Sequence, residues 1–93
     1  MTLMLKIKYS TTFKKDYKTV VKRGYNIKAL EEVLQILIEE KPLLPKNLDH
    51  ILIGDYNGYR ECHLTPDWLL IYKIEIETST LSLTRTGTHS DLF

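Results

Sequence analysis

Hydrophobic residues occupy every second position at the start of the chain, at Leu3, Leu5, Ile7 and Tyr9. A period of two is typical of a half-buried strand, so the pattern predicts a first β-strand here. The same period returns in the second half of the chain. A short strand near His50–Ile53 leads through the turn sequence GDYNG to longer strands over residues 59–64, 68–76 and 81–86. The strand over residues 68–76 is nearly all apolar, which predicts a central strand.

Two amphipathic helices are predicted between these strand regions, because the hydrophobic period there is close to 3.6 residues. Ser10 or Thr11 can cap the first helix and Gly24 ends it, whereas Asn26 caps the second and Pro42 ends it. The apolar positions are Phe13, Tyr17, Val20 and Val21 in the first helix and Ile27, Leu30, Val33, Leu34, Leu37 and Ile38 in the second.

The predicted order of elements is β-α-α-β-β-β, in a single domain that spans residues 1–93. Two consecutive helices joined by a short link should pair as a hairpin and cover one face of an antiparallel sheet. The fold class is therefore α+β, with the other face of the sheet left partly open. The segments KPLLPKNLD and GTHSDLF are interpreted as a loop and a tail.

Composition is that of an ordinary globular protein, with 43% hydrophobic and 27% charged residues. A single cysteine, Cys62, excludes an internal disulfide and a thiolate zinc cage, and it favours a reducing, cytoplasmic setting. The apolar run at the N-terminus is short and is broken by Lys6 and Lys8. We therefore expect neither a signal peptide nor a membrane partner.

The net charge of +1 conceals a strong asymmetry along the chain. Residues 1–28 carry eight Lys or Arg against one acid, Asp16, whereas residues 29–93 carry five against eleven acids. The first part is therefore strongly basic and the second acidic. Such a division bears on the choice of binding partners more than the total charge does.

All three histidines lie in the C-terminal half of the chain, each beside a turn or the chain end. In YRECHLTPDW, His63 precedes Asp67 across a Thr-Pro turn, so the carboxylate could fold back and hydrogen-bond the imidazole. A carboxylate that holds an imidazole in one tautomer is a usual feature of a catalytic base. The alternative is a surface histidine beside a turn-capping aspartate. The sheet could bring His50 and His89 to the same end.

A zinc site is a second interpretation, since His50, His63, Asp67 and His89 could in principle supply four ligands. However, a turn separates His63 from Asp67, so these two do not stack one helical turn apart as the ligands of HExxH sites do. A metal-free acid–base site uses the same residues with fewer geometric demands. We therefore expect no metal and no other cofactor.

Other side chains near these positions have two interpretations each. Arg60 and Arg85 either belong to the same site as the histidines or form surface ion pairs. Trp68 lies either at the edge of the core or against the substrate. Phe93 either packs the tail down, which would fix His89, or stacks on a ligand. Cys62 has no activating partner in the pattern and is interpreted as a packing residue.

Two segments, LDHILIGDYNGYRECHLTPDWLLIYK and LTRTGTHSDLF, resemble the YafQ branch of the RelE/ParE toxin superfamily. The resemblance extends over nearly the whole chain and is strongest from His50 onward. It implies the β-α-α-β-β-β order that the hydrophobic pattern also predicts. It further implies a metal-independent endoribonuclease that cleaves mRNA in the ribosomal A site, acts in the cytoplasm and is silenced by a cognate antitoxin.

Carried over residue by residue, the functional set of the family falls on His50, His63, Asp67 and His89, and the aromatic residue of the tail falls on Phe93. With this set, His63 and Asp67 would act on the 2′-hydroxyl and His89 would be the acid. His50, with Arg60 or Arg85, would face the phosphate.

The resemblance implies a role for the basic first helix, because its cations would contact the phosphates of ribosomal RNA. The residues predicted for this contact are Lys14, Lys15, Lys18, Lys22 and Arg23. The alternative is a solvated helix face. Two other functions remain open, namely a ParE-like toxin that poisons a protein target and a non-catalytic interaction module. Neither of these requires histidines at the three positions.

Overall fold

The computed structural model describes residues 4–93, so Leu3 of the predicted first strand lies outside the described part. The strands are β1 (Lys6–Tyr9), β2 (His50–Ile51), β3 (Arg60–Thr65), β4 (Trp68–Glu75) and β5 (Thr80–Gly87). The helices are α1 (Thr11–Lys22), α2 (Ile27–Ile38) and α3 (His89–Leu92). The α+β class and the order of the longer elements are confirmed. Within residues 4–93, none of the helices has the length and apolar composition needed to cross a bilayer.

The five strands form one sheet in the order β1-β5-β4-β3-β2. Consecutive strands from β2 to β5 pair antiparallel, as predicted, but β1 pairs parallel with β5. The sheet is therefore mixed and not purely antiparallel. The difference arises because the two helices carry the chain across the sheet before it returns, so that β1 and β5 run in the same direction.

The helix boundaries follow the predicted caps at three of the four ends. Ser10 accepts a hydrogen bond from the Phe13 amide at the start of α1, and Asn26 does the same for the amide of Lys28 in α2. The chain leaves α1 through Gly24, whose φ of 79° suits glycine. Pro42 does not end α2, because the helix stops at Ile38 and the chain has already turned away before the proline.

Two hydrophobic clusters lie on opposite faces of the sheet. The main core packs the inner faces of α1 and α2 against Cys62, Leu70, Tyr72 and other sheet residues. A smaller cluster on the other face consists of Leu69, Ile71 and Leu92, with partly buried residues around it. The second face is thus only partly covered, as predicted. Because β3 alternates, Cys62 faces the helices and its neighbours face the other side.

Candidate active site

An open cleft of about 470 Å³ lies at one end of the sheet and collects most of the predicted catalytic residues. Its lining includes His63 from β3, Asp67 from the turn before β4, and His89 from the start of α3. Three acid–base groups from separate elements therefore share one solvent-accessible space. Tyr25, which follows α1, also lines the cleft and connects it to the basic helix.

His50 does not line the cleft, but it contacts Glu61, which does. Its Nε2 atom lies 3.4 Å from Glu61 Oε1, and its Nδ1 atom lies 2.8 Å from the carbonyl oxygen of Leu48. A carbonyl oxygen only accepts hydrogen bonds, so Nδ1 carries a proton. Both ring nitrogens of His50 thus contact oxygens of the protein itself.

Glu61 is the site residue that the sequence analysis missed. It is only 6% exposed, it lines the cleft, and within residues 4–93 its Oε2 atom has no hydrogen-bond partner. Buried polar atoms normally have a partner, so an unpaired carboxylate oxygen beside a cleft is a candidate ligand contact. Side chains alternate along a strand, so Glu61 and His63, two residues apart, share one face of β3. That placement was the available signal, because acids on a strand are usually read as solvent-exposed.

The predicted hydrogen bond between His63 and Asp67 is not among the contacts that residues 4–93 make. Instead, His63 Nδ1 lies 3.4 Å from the carbonyl oxygen of Pro66, within the turn itself. Asp67 is exposed on the same cleft wall. The backbone of His63 is held from behind by Asn47, a buried residue whose side-chain amide donates to the His63 carbonyl oxygen at 2.8 Å. The segment KPLLPKNLD, which was predicted to be a loop, therefore helps to hold the backbone of His63 in place.

The tail, for which no helix was predicted, forms the short helix α3. Thr88 and Asp91 make a reciprocal capping box at its start, and the buried Leu92 anchors it in the smaller cluster. The rings of His89 and Phe93 lie 5.0 Å apart, and Phe93 also packs edge-on against Tyr56. Phe93 thus contacts the predicted acid directly while remaining 56% exposed.

The two predicted phosphate-binding arginines lie in different places. Arg60 is on the helix-covered side of β3, where Asp49 accepts hydrogen bonds from its Nε at 3.2 Å and Nη2 at 2.9 Å. This location turns it away from the cleft. Arg85 donates to Asp16 at 2.7 Å and approaches the Asp91 carbonyl oxygen at 3.5 Å, so it lies beside α3. Of the two, only Arg85 adjoins the candidate site.

Trp68 is a core residue and not an exposed stacking platform. Its ring is 1% exposed, and its indole N–H donates to Thr86 Oγ1 at 2.7 Å. One of the two interpretations of Trp68 placed it against the substrate. A substrate cannot stack on this ring, because the fold already covers it. Cys62 is fully buried, and burial raises the pKa of its thiol, in line with its interpretation as a packing residue.

The predicted docking helix presents four exposed lysines, Lys14, Lys15, Lys18 and Lys22, and none of them makes an ion pair within residues 4–93. The only acid of the helix, Asp16, accepts hydrogen bonds from Arg85 and from the Thr86 amide. Its charge is therefore used inside the protein, and the outer face of α1 is uniformly basic. Arg23 differs from the lysines, because it pairs with Asp91 at 2.6 Å.

Comparison with known proteins agrees with this architecture. The sequence model described as "Bacterial toxin of type II toxin-antitoxin system, YafQ" matches residues 5–93. The chain belongs to the YafQ toxin family. The mRNA interferase toxin YafQ of Escherichia coli strain K12 is 41% identical over 88 residues, which cover 94% of each chain.

Solved structures of YafQ-like toxins share the whole fold. A metal-bound toxin from Helicobacter pylori is 49% identical, with a TM-score of 0.91 over 97% of this chain and 100% of the other. The E. coli DinJ–YafQ toxin–antitoxin complex contains a chain that is 40% identical, with a TM-score of 0.86 over 97% of this chain and 98% of the other. The fold expected from the YafQ resemblance is thereby confirmed.

The metal in the H. pylori relative raises the question of whether this YafQ-family chain offers a comparable ligand set. Within residues 4–93, no group of three or more His, Cys, Asp or Glu side chains is arranged to hold a metal ion. Although His63, Asp67 and His89 share the cleft, they do not converge on one point. The ligands present therefore do not fit a resident metal.

We expect RNA cleavage by the purified protein to survive chelation. The physical reason is that the cleft offers acid–base groups without a metal cage. Cleavage of translated mRNA should be unchanged, within about two-fold, after dialysis against EDTA, with metal content measured by elemental analysis. Stoichiometric metal whose removal abolishes cleavage would contradict this expectation.

Proposed function

We propose that this protein is a ribosome-dependent endoribonuclease that cleaves mRNA by metal-independent acid–base catalysis in the cytoplasm and is silenced by a cognate antitoxin. The E. coli relatives support it, since one is named an mRNA interferase and another is solved with the antitoxin DinJ. The observation that carries the proposal is the convergence of Glu61, His63, Asp67 and His89 on one cleft.

Cleavage of RNA without a metal requires that the 2′-oxygen attacks the adjacent phosphorus while the 5′-oxygen leaves. A base must take the 2′-hydroxyl proton, an acid must protonate the 5′-oxygen, and cations must stabilise the negative charge on the non-bridging phosphorane oxygens. His89, exposed at the start of α3, is the acid in our assignment. His50 and Arg85 are assigned to the phosphate side; for His50 to donate to a phosphate, its contact with Leu48 or with Glu61 must open.

The 2′-hydroxyl side of the reaction is assigned to Glu61 and His63. The Oε2 atom of Glu61 has no hydrogen-bond partner within residues 4–93, so we assign to it the acceptance of the 2′-hydroxyl proton. His63 lies on the same strand face and orients the hydroxyl. Asp67 would engage His63 once substrate is bound, because catalytic hydrogen bonds often tighten only in the substrate complex.

The exposed lysines of α1 form the proposed ribosome-docking surface, defined as Lys14, Lys15, Lys18 and Lys22. Ribosomal RNA offers closely spaced phosphates, and their neutralisation by Lys releases condensed counterions. The helix ends near Tyr25, which lines the cleft, so docking through α1 would place the cleft against the bound mRNA. A ribosome that holds the mRNA in line can supply much of the remaining acceleration.

The test is to incubate the purified protein with translating ribosomes and to map cut mRNA by primer extension. Discrete cuts within codons are expected with ribosomes present, and far less cleavage of the same mRNA alone. Intact mRNA in the presence of a correctly folded, ribosome-bound protein would contradict the proposal. That result would favour a toxin that acts by binding alone.

Glu61→Gln tests the base directly, because it keeps the shape and one acceptor but cannot take a proton. We expect the single-turnover cleavage rate to fall about 10²-fold, the lower end of the range for a general base. The matched control is Glu77→Gln, an exposed acid in the turn before β5. If Glu61→Gln cleaves as fast as wild type, the proton is taken by another group, and His63→Gln becomes the decisive variant.

A further inference from the structure

The helix that carries His89 cannot hold its own shape. It has only four residues, and isolated helices of that length are unstable in water because nucleation is costly. Whatever fastens α3 to the rest of the protein therefore decides where the His89 ring lies. Leu92 anchors one side of the helix in the smaller hydrophobic cluster. A second attachment involves Asp91.

The Asp91 carboxylate joins two structural elements that are distant in sequence. Its Oδ2 atom accepts hydrogen bonds from the Thr88 amide at 2.8 Å and from Arg23 Nη1 at 2.6 Å, and its Oδ1 atom accepts one from Arg23 Nη2 at 3.1 Å. The Arg23 guanidinium and then the Thr88 amide hold the pKa of the Asp91 carboxyl well below its usual range. The carboxylate is therefore ionised at any physiological pH.

Gly87, which precedes the cap residue Thr88, leaves room for this contact. A Cβ atom added to Gly87 would lie 2.8 Å from Asp91 Oδ2 and 2.9 Å from Asp91 Cβ, which is closer than real Cβ contacts allow. Only glycine at this position lets the carboxylate close over the start of α3. Arg23 is itself well placed, because it is the C-terminal cap of α1, a long helix packed on the main core.

We propose that Asp91 and Arg23 are positioning residues that fix His89 for catalysis, with α1 as the rigid support. The inference rests on the proposed role of His89 as the acid. One carboxylate closes the cap of the helix that begins with His89 and ties that cap to the bidentate guanidinium of Arg23. Arg23 thus pairs with a residue of the protein itself, in contrast to the four lysines of the docking surface, which make no ion pair within residues 4–93.

The experiment separates positioning from docking by measuring the single-turnover cleavage rate and the ribosome affinity of each variant. Asp91→Ala, which removes both the cap and the ion pair, should slow cleavage about 10- to 100-fold, the scale of a misplacement near 1 Å. Ribosome affinity should stay within about two-fold. Asp91→Asn retains an acceptor for the Thr88 amide, so its rate should fall less.

Arg23→Ala gives a second route, since it breaks the ion pair without touching α3. Its rate should fall in the same direction, Arg23→Lys should recover part of the loss, and the double variant with Asp91→Ala should be no slower than Asp91→Ala alone. Lys41→Ala is the matched control, because it removes an exposed ion pair, with Glu39 at 3.2 Å, away from the cleft. It should cleave at the wild-type rate.

Three results would overturn the inference. Wild-type cleavage by Asp91→Ala, alongside an inactive His89→Ala, would show that His89 needs no such support and would leave the proposed function standing. A loss of cleavage that follows ribosome affinity alone would make Arg23 a docking residue. If His89→Ala itself cleaves normally, the assignment of His89 as the acid and the inference that rests on it both fail, while the proposed cleavage of mRNA stands.

Discussion

Replacement of His89 by Ala is expected to lower the rate of mRNA cleavage by about 10²- to 10⁴-fold, the range for loss of a general acid. Without an acid, the 5′-oxygen must leave as an alkoxide, which is a far poorer leaving group. The fold should be unaffected, because His89 is exposed and its ring contact is with the equally exposed Phe93. Single-turnover cleavage on programmed ribosomes measures the effect, and thermal unfolding checks the fold.

The control for His89→Ala is its binding to ribosomes. The variant should co-sediment with them as wild type does, because the docking surface on α1 is untouched. In cells without the antitoxin, it should no longer inhibit growth. A His89→Ala protein that remains fully toxic would show that another group protonates the leaving oxygen.

Reversal of the docking surface should have a comparably large effect through a different step. Changing Lys14, Lys15, Lys18 and Lys22 to Glu replaces four cations with four anions and leaves the buried face of α1 intact. Since each phosphate contact releases counterions, we expect ribosome affinity to fall on the order of 10³-fold or more. Cleavage of translated mRNA should then be lost although the cleft is unchanged.

Sedimentation with ribosomes over a range of salt concentrations measures this effect. The affinity of the wild-type protein should fall steadily as salt is added, and the dependence should be much weaker for the charge-reversed protein. The antitoxin could instead bind this face, since an acidic helix would suit it equally well. In that case the charge-reversed protein would stay toxic and escape neutralisation, which would refute ribosome docking through α1 while leaving the catalytic assignment intact.

Local rules predicted the elements well, because the residues that carry them act over short distances. Ser10 and Asn26 cap the two long helices, as their side chains and positions indicated. In β3, side-chain alternation places Cys62 in the main core and His63 in the cleft. Short-range geometry in a helix or strand is set mainly by the chain itself.

Long-range contacts were predicted less well, because sequence spacing does not specify them. The carboxylate of Asp67 was expected on His63, but the turn directs that imidazole to the Pro66 carbonyl oxygen. Arg60 was a candidate phosphate contact, and Asp49 holds it on the opposite face. The sequence pattern did not single out Glu61. The structure buries this residue and leaves its Oε2 atom without a hydrogen-bond partner within residues 4–93.

The sequence by itself determined the α+β class, the two amphipathic helices and the central strand. It also identified the candidate histidines and the resemblance to the YafQ family. Hydrophobic period and capping chemistry are written in neighbouring residues, so they can be read without coordinates. Only the tertiary structure decided that β1 runs parallel to β5, that Trp68 is buried, and that Arg23 of α1 meets Asp91 of the tail. These features join residues far apart in sequence, and they depend on how whole elements pack together.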